Sequence, residues 1–288
     1  MTVLAAIETG GTKIFARLFT ADGAILAEQR FVTRDGDAAV ADLVPFLGSH
    51  GALAAIGMSA FGPIIVDPQS PRFGEIMPTT KAGWTGTNLT RALTEKFGCP
   101  IAIDTDVGGA ALAEARIGAG RGFDPVAYVT IGTGIGGGLY VGGKTYHGSV
   151  APEIGHSFVQ RADGDTTASI CRYHTHCAEG LASGPSARAR LGTRQLVDAP
   201  EVRATLADYI AQLLFGLTLS WAPGRFVIGG GVMLGTGMLD DVRAAFPDKV
   251  NGFGAGERAL ADDYIVPAQL TNAGLEGAAI MAQELLAR

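Results

Sequence analysis

The chain has 288 residues, 47% of them hydrophobic and 17% charged, with 42 glycines, 13 prolines and a formal net charge of −6. Length and apolar content are enough for a large buried core, while glycine at roughly twice its ordinary share but without a three-residue period excludes collagen-like and low-complexity chains. The basic residues form no run, which argues against nucleic acid as a partner.

Three strand-like segments come first, Val3 to Glu8, Ile14 to Phe19 and Ala24 to Phe31, parted by Thr9-Gly10-Gly11-Thr12 and Ala21-Asp22-Gly23. They read as an antiparallel meander. A helix is expected over Ala38 to Leu47, a strand over Leu53 to Ser59, and a helix from Asn88 with Leu89, Ala92, Leu93 and Phe97 on one face. Pro100 to Ile103 then reads as a strand feeding a helix near Val107 to Ile117. A second meander follows: Val126 to Ile131, a turn over Gly132 to Gly138, Leu139 to Val141, and Thr145 to His147. Helices over Val202 to Trp221, Met238 to Phe246 and Leu275 to Ala287 complete the pattern, with a strand at Arg225 to Ile228 entering Gly229-Gly230-Gly231.

The most apolar stretch, Tyr209 to Gly224, contains Gln212, Thr218, Ser220 and Pro223 and is shorter than the roughly 20 residues of a membrane span. A buried helix is the reading, with no membrane partner. No basic segment precedes the first strand, so a cytoplasmic location is expected. Three cysteines are too few for a disulfide framework.

The two meanders form a loose internal repeat, Ile7-Glu8-Thr9-Gly10-Gly11-Thr12 against Ile131-Gly132-Thr133-Gly134-Ile135-Gly136. Each opens one half of the chain, and no Pro/Ser-rich linker parts them, which points to two apposed α/β domains sharing a cleft. Glycine turns after strands expose successive backbone N–H groups to an anion, so the loops at Thr9 to Lys13, Gly132 to Gly138 and Gly229 to Gly231 are candidate phosphate sites. Plain hairpin turns are the alternative for any one of them. A P-loop is disfavoured because Gly11-Thr12-Lys13 runs into a strand rather than a helix. A dinucleotide fingerprint at Gly132 fails on the same ground, since Leu139-Tyr140-Val141 is again strand-like.

Two further features carry chemistry. Asp106 follows the apolar Ile101-Ala102-Ile103 run, at a strand's carboxyl end where α/β folds bind ligands, although it could equally be the cap of the next helix. Residues 156–177 hold three of the five histidines and two of the three cysteines. His156, Cys171, His174 and Cys177 offer four ligands for a closed, structural Zn²⁺ site, with His176 as an open alternative to His174. Cys99 reads as a buried packing residue, His50 and His147 show no partner, and Trp84 either stacks near a ligand or fills a core.

Glu8-Thr9-Gly10-Gly11-Thr12-Lys13, Asp104-Thr105-Asp106-Val107, Ile131 to Gly138, Pro152-Glu153-Ile154-Gly155-His156, the Cys/His cluster, Glu179-Gly180 and Gly229-Gly230-Gly231-Val232 together resemble the ROK family of sugar kinases and repressors. Phe61-Gly62-Pro63, Thr105 and Thr80-Lys81-Ala82-Gly83-Trp84 resemble its zinc-containing bacterial fructokinase branch most. The resemblance implies two RNase H-like domains of the actin, hexokinase and Hsp70-like ATPase fold. The N-terminal domain would span 1–112 with the C-terminal helix 275–288, and the second 113–274 with a zinc-binding insertion at 156–177. It implies Gly10, Gly11, Thr12 and Lys13 as the first phosphate loop of an ATP site, and Gly132, Thr133 and Gly134 as the second. Gly229, Gly230 and Gly231 would lie by the adenosine. Glu8 would hold Mg²⁺ through water, and Asp106 would be the base. Glu153, His156 and Glu179 would bind sugar hydroxyls, with Gly62, Pro63 and Thr105 nearby.

Gly108 departs from the family, where Asn is common, and because the first loop begins at residue 8 no winged-helix DNA-binding module is expected. The function expected is ATP-dependent phosphorylation of a hexose at its 6-hydroxyl, fructose first, by a homodimer. A mannose, glucose or amino-sugar kinase, or a sugar-sensing regulator without turnover, is the alternative.

Overall fold

The computed structural model describes every residue except Gly235, Ala255 and Arg288. Among the described residues the chain divides into two compact units, one of residues 1–113, 145–151 and 270–288, the other of residues 114–144 and 152–269.

In the first unit β1 (Val3–Thr9), β2 (Lys13–Thr20), β3 (Ile25–Val32), β4 (Leu53–Ala60) and β5 (Ile101–Thr105) form one sheet in the order β3-β2-β1-β4-β5. β1 is central, antiparallel to β2 and parallel to β4. Its residues are buried throughout apart from the partly exposed Glu8, as expected of a strand covered on both faces. α1 (Gly36–Leu47), α2 (Leu89–Phe97), α3 (Asp106–Ile117) and the C-terminal helix (Ala273–Leu286) accompany the sheet. The last of these comes so close to β4 that a Cβ on Gly57 would lie 1.8 Å from the carbonyl oxygen of Ala278. Gly277 meets Gly109 of α3 in the same way, its added Cβ 2.0 Å from that residue's carbonyl oxygen. Glycines scattered through the sequence thus mark backbone-to-backbone packing. Arg17 ties β2 to this helix through Glu276, at 2.7 and 3.0 Å.

β6 (Val126–Ile131), β7 (Ile135–Val141), β8 (Lys144–Thr145), β9 (Arg225–Gly229) and β10 (Ile265–Pro267) make a second sheet in the order β10-β9-β6-β7-β8. β6 is antiparallel to β7 and parallel to β9, which repeats the pairing of β1 with β2 and β4. The internal repeat in the sequence is therefore a repeat of topology. α4 (Ala178–Ala182), α5 (Gly184–Leu191), α6 (Pro200–Trp221), α7 (Met238–Val250) and α8 (Gly256–Ala259) belong to this unit, and α9 is the C-terminal helix already described. Buried Leu206, Ile210, Leu213, Leu214 and Leu217 place α6 in the core, and none of the described helices is long and apolar enough to cross a membrane.

The expected turn over Gly132 to Gly138 is shorter than the sequence suggests, because β7 begins at Ile135 and takes in Gly136, Gly137 and Gly138. Gly137 lies under Ile154, whose side chain would be 2.8 Å from an added Cβ, so the glycine run makes room for packing on a strand. The expected strand Thr145 to His147 shrinks to β8, and α4, α5 and β10 are additional elements.

Candidate active site

The turn between β1 and β2 has an uneven hydrogen-bond inventory. Gly10 N–H donates to the Lys13 carbonyl at 2.8 Å, the Thr33 hydroxyl donates to the Gly10 carbonyl at 2.8 Å, and Thr33 N–H donates to the Thr12 carbonyl at 3.1 Å. The Lys81 ammonium donates to the Gly11 carbonyl. Every carbonyl from Gly10 to Lys13 is engaged, while the amides of Gly11 and Thr12 have no hydrogen-bond acceptor among the described residues. Such a turn presents donors, which is what an anion needs.

The equivalent turn of the second unit behaves alike. Gly132 N–H donates to the Gly134 carbonyl at 2.9 Å and the Gly132 carbonyl accepts from Gly184 at 2.7 Å, which leaves the Thr133 and Gly134 amides without acceptors among the described residues. Glu179 supports the turn, its Oε2 accepting Ile135 N–H at 3.0 Å. In the third glycine loop Gly230 has φ +94°, and an added Cβ would lie 2.3 Å from the Ile131 carbonyl oxygen. Glycine is required there on conformational and steric grounds together.

Glu8 is the one partly exposed residue of β1, between buried Ile7 and Thr9. Its carboxyl is pushed up to about 7 by burial and by the negative charge of Asp106, against a hydrogen bond from the Leu275 backbone. Oε2 of Glu8 is buried without a hydrogen-bond partner. An orphaned oxygen beside a second carboxylate is a pair of hard donors short of positive charge, and a hydrated divalent cation such as Mg²⁺ fits it.

Asp106 is the first residue of α3. The capping role falls to Thr105, whose Oγ1 accepts Gly108 N–H at 2.9 Å, while Asp106 Oδ1 accepts Val107 N–H at 2.9 Å. Behind them lies Asp104, buried, whose Oδ1 accepts Thr105 N–H at 2.6 Å and whose Oδ2 accepts the Thr145 hydroxyl at 2.6 Å. His147, without a partner in the sequence reading, has one here: its Nε2 lies 3.1 Å from Asp104 Oδ2. That bond raises the imidazole above its ordinary value. The Gly108 departure has a physical reason as well, since an added Cβ would stand 2.0 Å from Asp104 Oδ1.

Gly62 and Pro63 follow β4 and are joined by a cis peptide bond. Just before them Phe61 meets Trp84 edge to face at 4.9 Å. Trp84 is fully buried and its Nε1 donates to the Arg34 carbonyl at 2.7 Å, so of its two readings the core one holds. Cys99 is buried, and His50 Nδ1 forms a 2.8 Å hydrogen bond with the hydroxyl of its neighbour Ser49.

In the second unit Glu153, His156 and Glu179 come together electrostatically. Burial raises the Glu153 carboxyl, the charge of Glu179 adds to that, and His156 opposes it. His156 also belongs to a group with Cys171, His174 and Cys177, whose ligand atoms all lie within 4.8 Å of one another. Cys171 Sγ is 3.7 Å from both His156 Nδ1 and His174 Nδ1. Bonds of about 2.0–2.3 Å to a tetrahedral ion set ligand atoms about 3.3–3.8 Å apart, so the group fits zinc. His176 stands outside it, its Nδ1 on the Thr175 hydroxyl at 2.7 Å.

Asp165, within the same segment, accepts from Arg190 at 2.6 Å and from the Tyr209 hydroxyl at 2.7 Å, pinning the loop to α5 and α6. The sequence alone assigns no role to Asp104, His147, Asp165 or Lys81, although Asp104 opens the Asp104-Thr105-Asp106-Val107 motif and Lys81 lies in the Thr80 to Trp84 segment.

The doubled sheet, with its donor-bearing turns after β1 and β6, has the actin/hexokinase-like ATPase fold. Residues 4–285 match the family model described as "ROK family", and the chain belongs to the ROK family. It is 36% identical to a fructokinase of Zymomonas mobilis over 96% of this chain and 95% of that protein. Among solved structures, a ROK hexokinase from Thermus thermophilus superposes with TM-score 0.80 at 26% identity, covering 99% of each chain. A ROK family glucokinase from Streptomyces griseus, solved with glucose and AMPPNP, gives 0.77 at 25% identity over 98% of this chain and 99% of that one.

Proposed function

We propose that the protein transfers the γ-phosphoryl group of ATP to the 6-hydroxyl of a hexose, with fructose as the preferred acceptor and fructose 6-phosphate as product. The observation that carries this reading is the matched pair of turns in which carbonyls are engaged and the amides of Gly11, Thr12, Thr133 and Gly134 are left to a ligand. Phosphate oxygens suit such donors, and in phosphoryl transfer most of catalysis is positioning and charge stabilisation. The AMPPNP bound to the Streptomyces griseus relative supports ATP as the nucleotide, and the Zymomonas mobilis fructokinase supports fructose.

Gly10 to Lys13 and Gly132 to Gly134 would receive the phosphates, with Gly229 to Gly231 beside the adenosine. Glu8 would hold Mg²⁺ through water, and a bound magnesium ion supplies neutralising charge to the phosphates. Asp106 takes the proton of the attacking sugar hydroxyl as its oxygen bonds to the γ-phosphorus and the bond to the ADP oxygen breaks. Thr105 sets the position of that carboxylate by capping α3. Glu153, His156 and Glu179 would hold sugar hydroxyls, with Gly62 and Pro63 beside them.

Four ligands from the protein leave no open position on a zinc ion, so Zn²⁺ at His156, Cys171, His174 and Cys177 would be structural. Its effect on the sugar would pass through His156. Sugar-dependent ADP release across fructose, mannose, glucose, N-acetylmannosamine and glucosamine tests the reading. The highest kcat/KM is expected with fructose. Another sugar ahead of fructose overturns the acceptor, and no release with any sugar overturns the kinase.

A further inference from the structure

The contact between Lys81 and the turn after β1 has no part in the phosphoryl transfer proposed above. Lys81 is 70 residues from Gly11 in sequence, and its ammonium donates to the Gly11 carbonyl. The segment that carries it is firmly held. Trp84 N–H donates to the Lys81 carbonyl at 3.3 Å and closes a turn, Gly36 N–H donates to the Gly83 carbonyl at 3.1 Å, and Met77 N–H donates to the Pro63 carbonyl at 2.8 Å. The Trp84 indole is buried against Phe61 and bonded to Arg34. The base of the lysine stem is thereby fixed, and its flexible end reaches the turn.

An ammonium has three donors, of which the Gly11 carbonyl takes one. Its partner is a neutral carbonyl, so its charge is uncompensated by an ion pair. Among the described residues Lys81 makes no salt bridge, whereas ten arginines are paired with carboxylates. The turn it joins presents the free amides of Gly11 and Thr12. A cation on an anchored stem at an amide-donor turn has the make-up of a phosphate contact.

We propose that Lys81 is a catalytic residue that donates to the γ-phosphoryl group of the nucleotide and stabilises the charge developing on it during transfer. The proposal rests on the reading of the turn as a phosphate loop. It predicts selectivity for the phosphoryl group that moves: Lys81 favours the triphosphate over the diphosphate and the transition state over both.

The test compares the full-length protein with Lys81→Met and Lys81→Arg. Sugar-dependent ADP release gives kcat and KM, and calorimetry gives the affinities for AMPPNP and ADP. Lys81→Met is expected to lower kcat by about 10²- to 10³-fold, the usual effect of losing one donor to developing charge. It should weaken AMPPNP but leave ADP binding and the melting temperature unchanged, and Lys81→Arg should recover at least a tenth of the lost rate. A Lys81→Met enzyme with kcat within threefold of the parent overturns the proposal. So does a variant that weakens ADP and AMPPNP equally, since that is the mark of a disturbed loop. If the parent itself releases no ADP with any sugar, the kinase reading fails, and this result is separate from either outcome for Lys81.

Discussion

Thr105 caps the helix that Asp106 begins, its Oγ1 accepting Gly108 N–H at 2.9 Å. The carboxylate of Asp106 is therefore not the cap, and the two neighbouring residues have separable duties. Thr105→Val should lower stability by about 1 kcal/mol, the usual effect of a lost cap. Asp106→Ala should instead reduce sugar-dependent ADP release by about 10²- to 10⁴-fold, the range of a general base, while nucleotide binding and melting temperature change little. Thermal melts and initial rates on the two variants check both halves. Near-normal turnover in Asp106→Ala would remove it from the reaction.

Glycine-to-alanine substitutions at the two turns should not behave alike. A Cβ at Gly11 meets nothing within 4 Å, whereas one at Gly134 lies 2.6 Å from Glu179 Oε2. Gly11→Ala should change the unfolding free energy by no more than about 0.5 kcal/mol, as a benign surface change does. Its cost should appear in nucleotide affinity, because the methyl would stand where the proposed phosphate approaches. Gly134→Ala should disturb stability and affinity together. Unchanged nucleotide affinity in Gly11→Ala would argue against a phosphate at this turn.

Metal content should discriminate between two neighbouring histidines. His174 stands with Cys171 and His156, and His176 with Thr175. His176→Ala should retain about one zinc ion per chain, while His174→Ala should lose it, as measured by elemental analysis. Chelation of the parent protein should weaken sugar binding more than ATP binding, through His156. Equal zinc in both variants would contradict the ligand set.

The bond between His147 and Asp104 makes stability depend on pH in a defined direction. The imidazole is raised by its hydrogen bond to Asp104, so the folded state binds its proton more tightly than the unfolded state does. The stabilisation is complete below the unfolded histidine's value near 6.5 and is lost as pH rises through the higher folded value. Denaturant titrations of the parent and of His147→Gln should diverge below that window and converge above it. Parallel curves across the window would show that the pair contributes nothing.

Much of this arrangement was legible because it is local. The spacing of glycines after apolar strands marked the turns, and Cys171-x2-His174-x2-Cys177 lies in one segment. Asp104 and His147 were invisible as a pair because 43 residues separate them and only the return of the chain after β8 brings them together. Gly136 to Gly138 were misread as turn because glycine is a poor strand former, and nothing local shows that Ile154 needs the space over Gly137. α5 was hidden by Gly184-Pro185, a breaker in mid-helix but suited to a first turn. β10 has only three residues, too few for a period to show.

The shared strand order of the two sheets allows the halves to be read against each other position by position. Thr9 and Ile131 each end their strand and Gly10 and Gly132 each open the turn that follows, so Glu8 stands opposite an uncharged residue, Thr130. One blueprint is thus used twice with unequal fittings: the first copy carries an acid at the lip of its turn, the second a neutral hydroxyl and, further along, a segment rich in soft ligands. Exchanging the residues at 8 and 130 would preserve composition while erasing that division of labour.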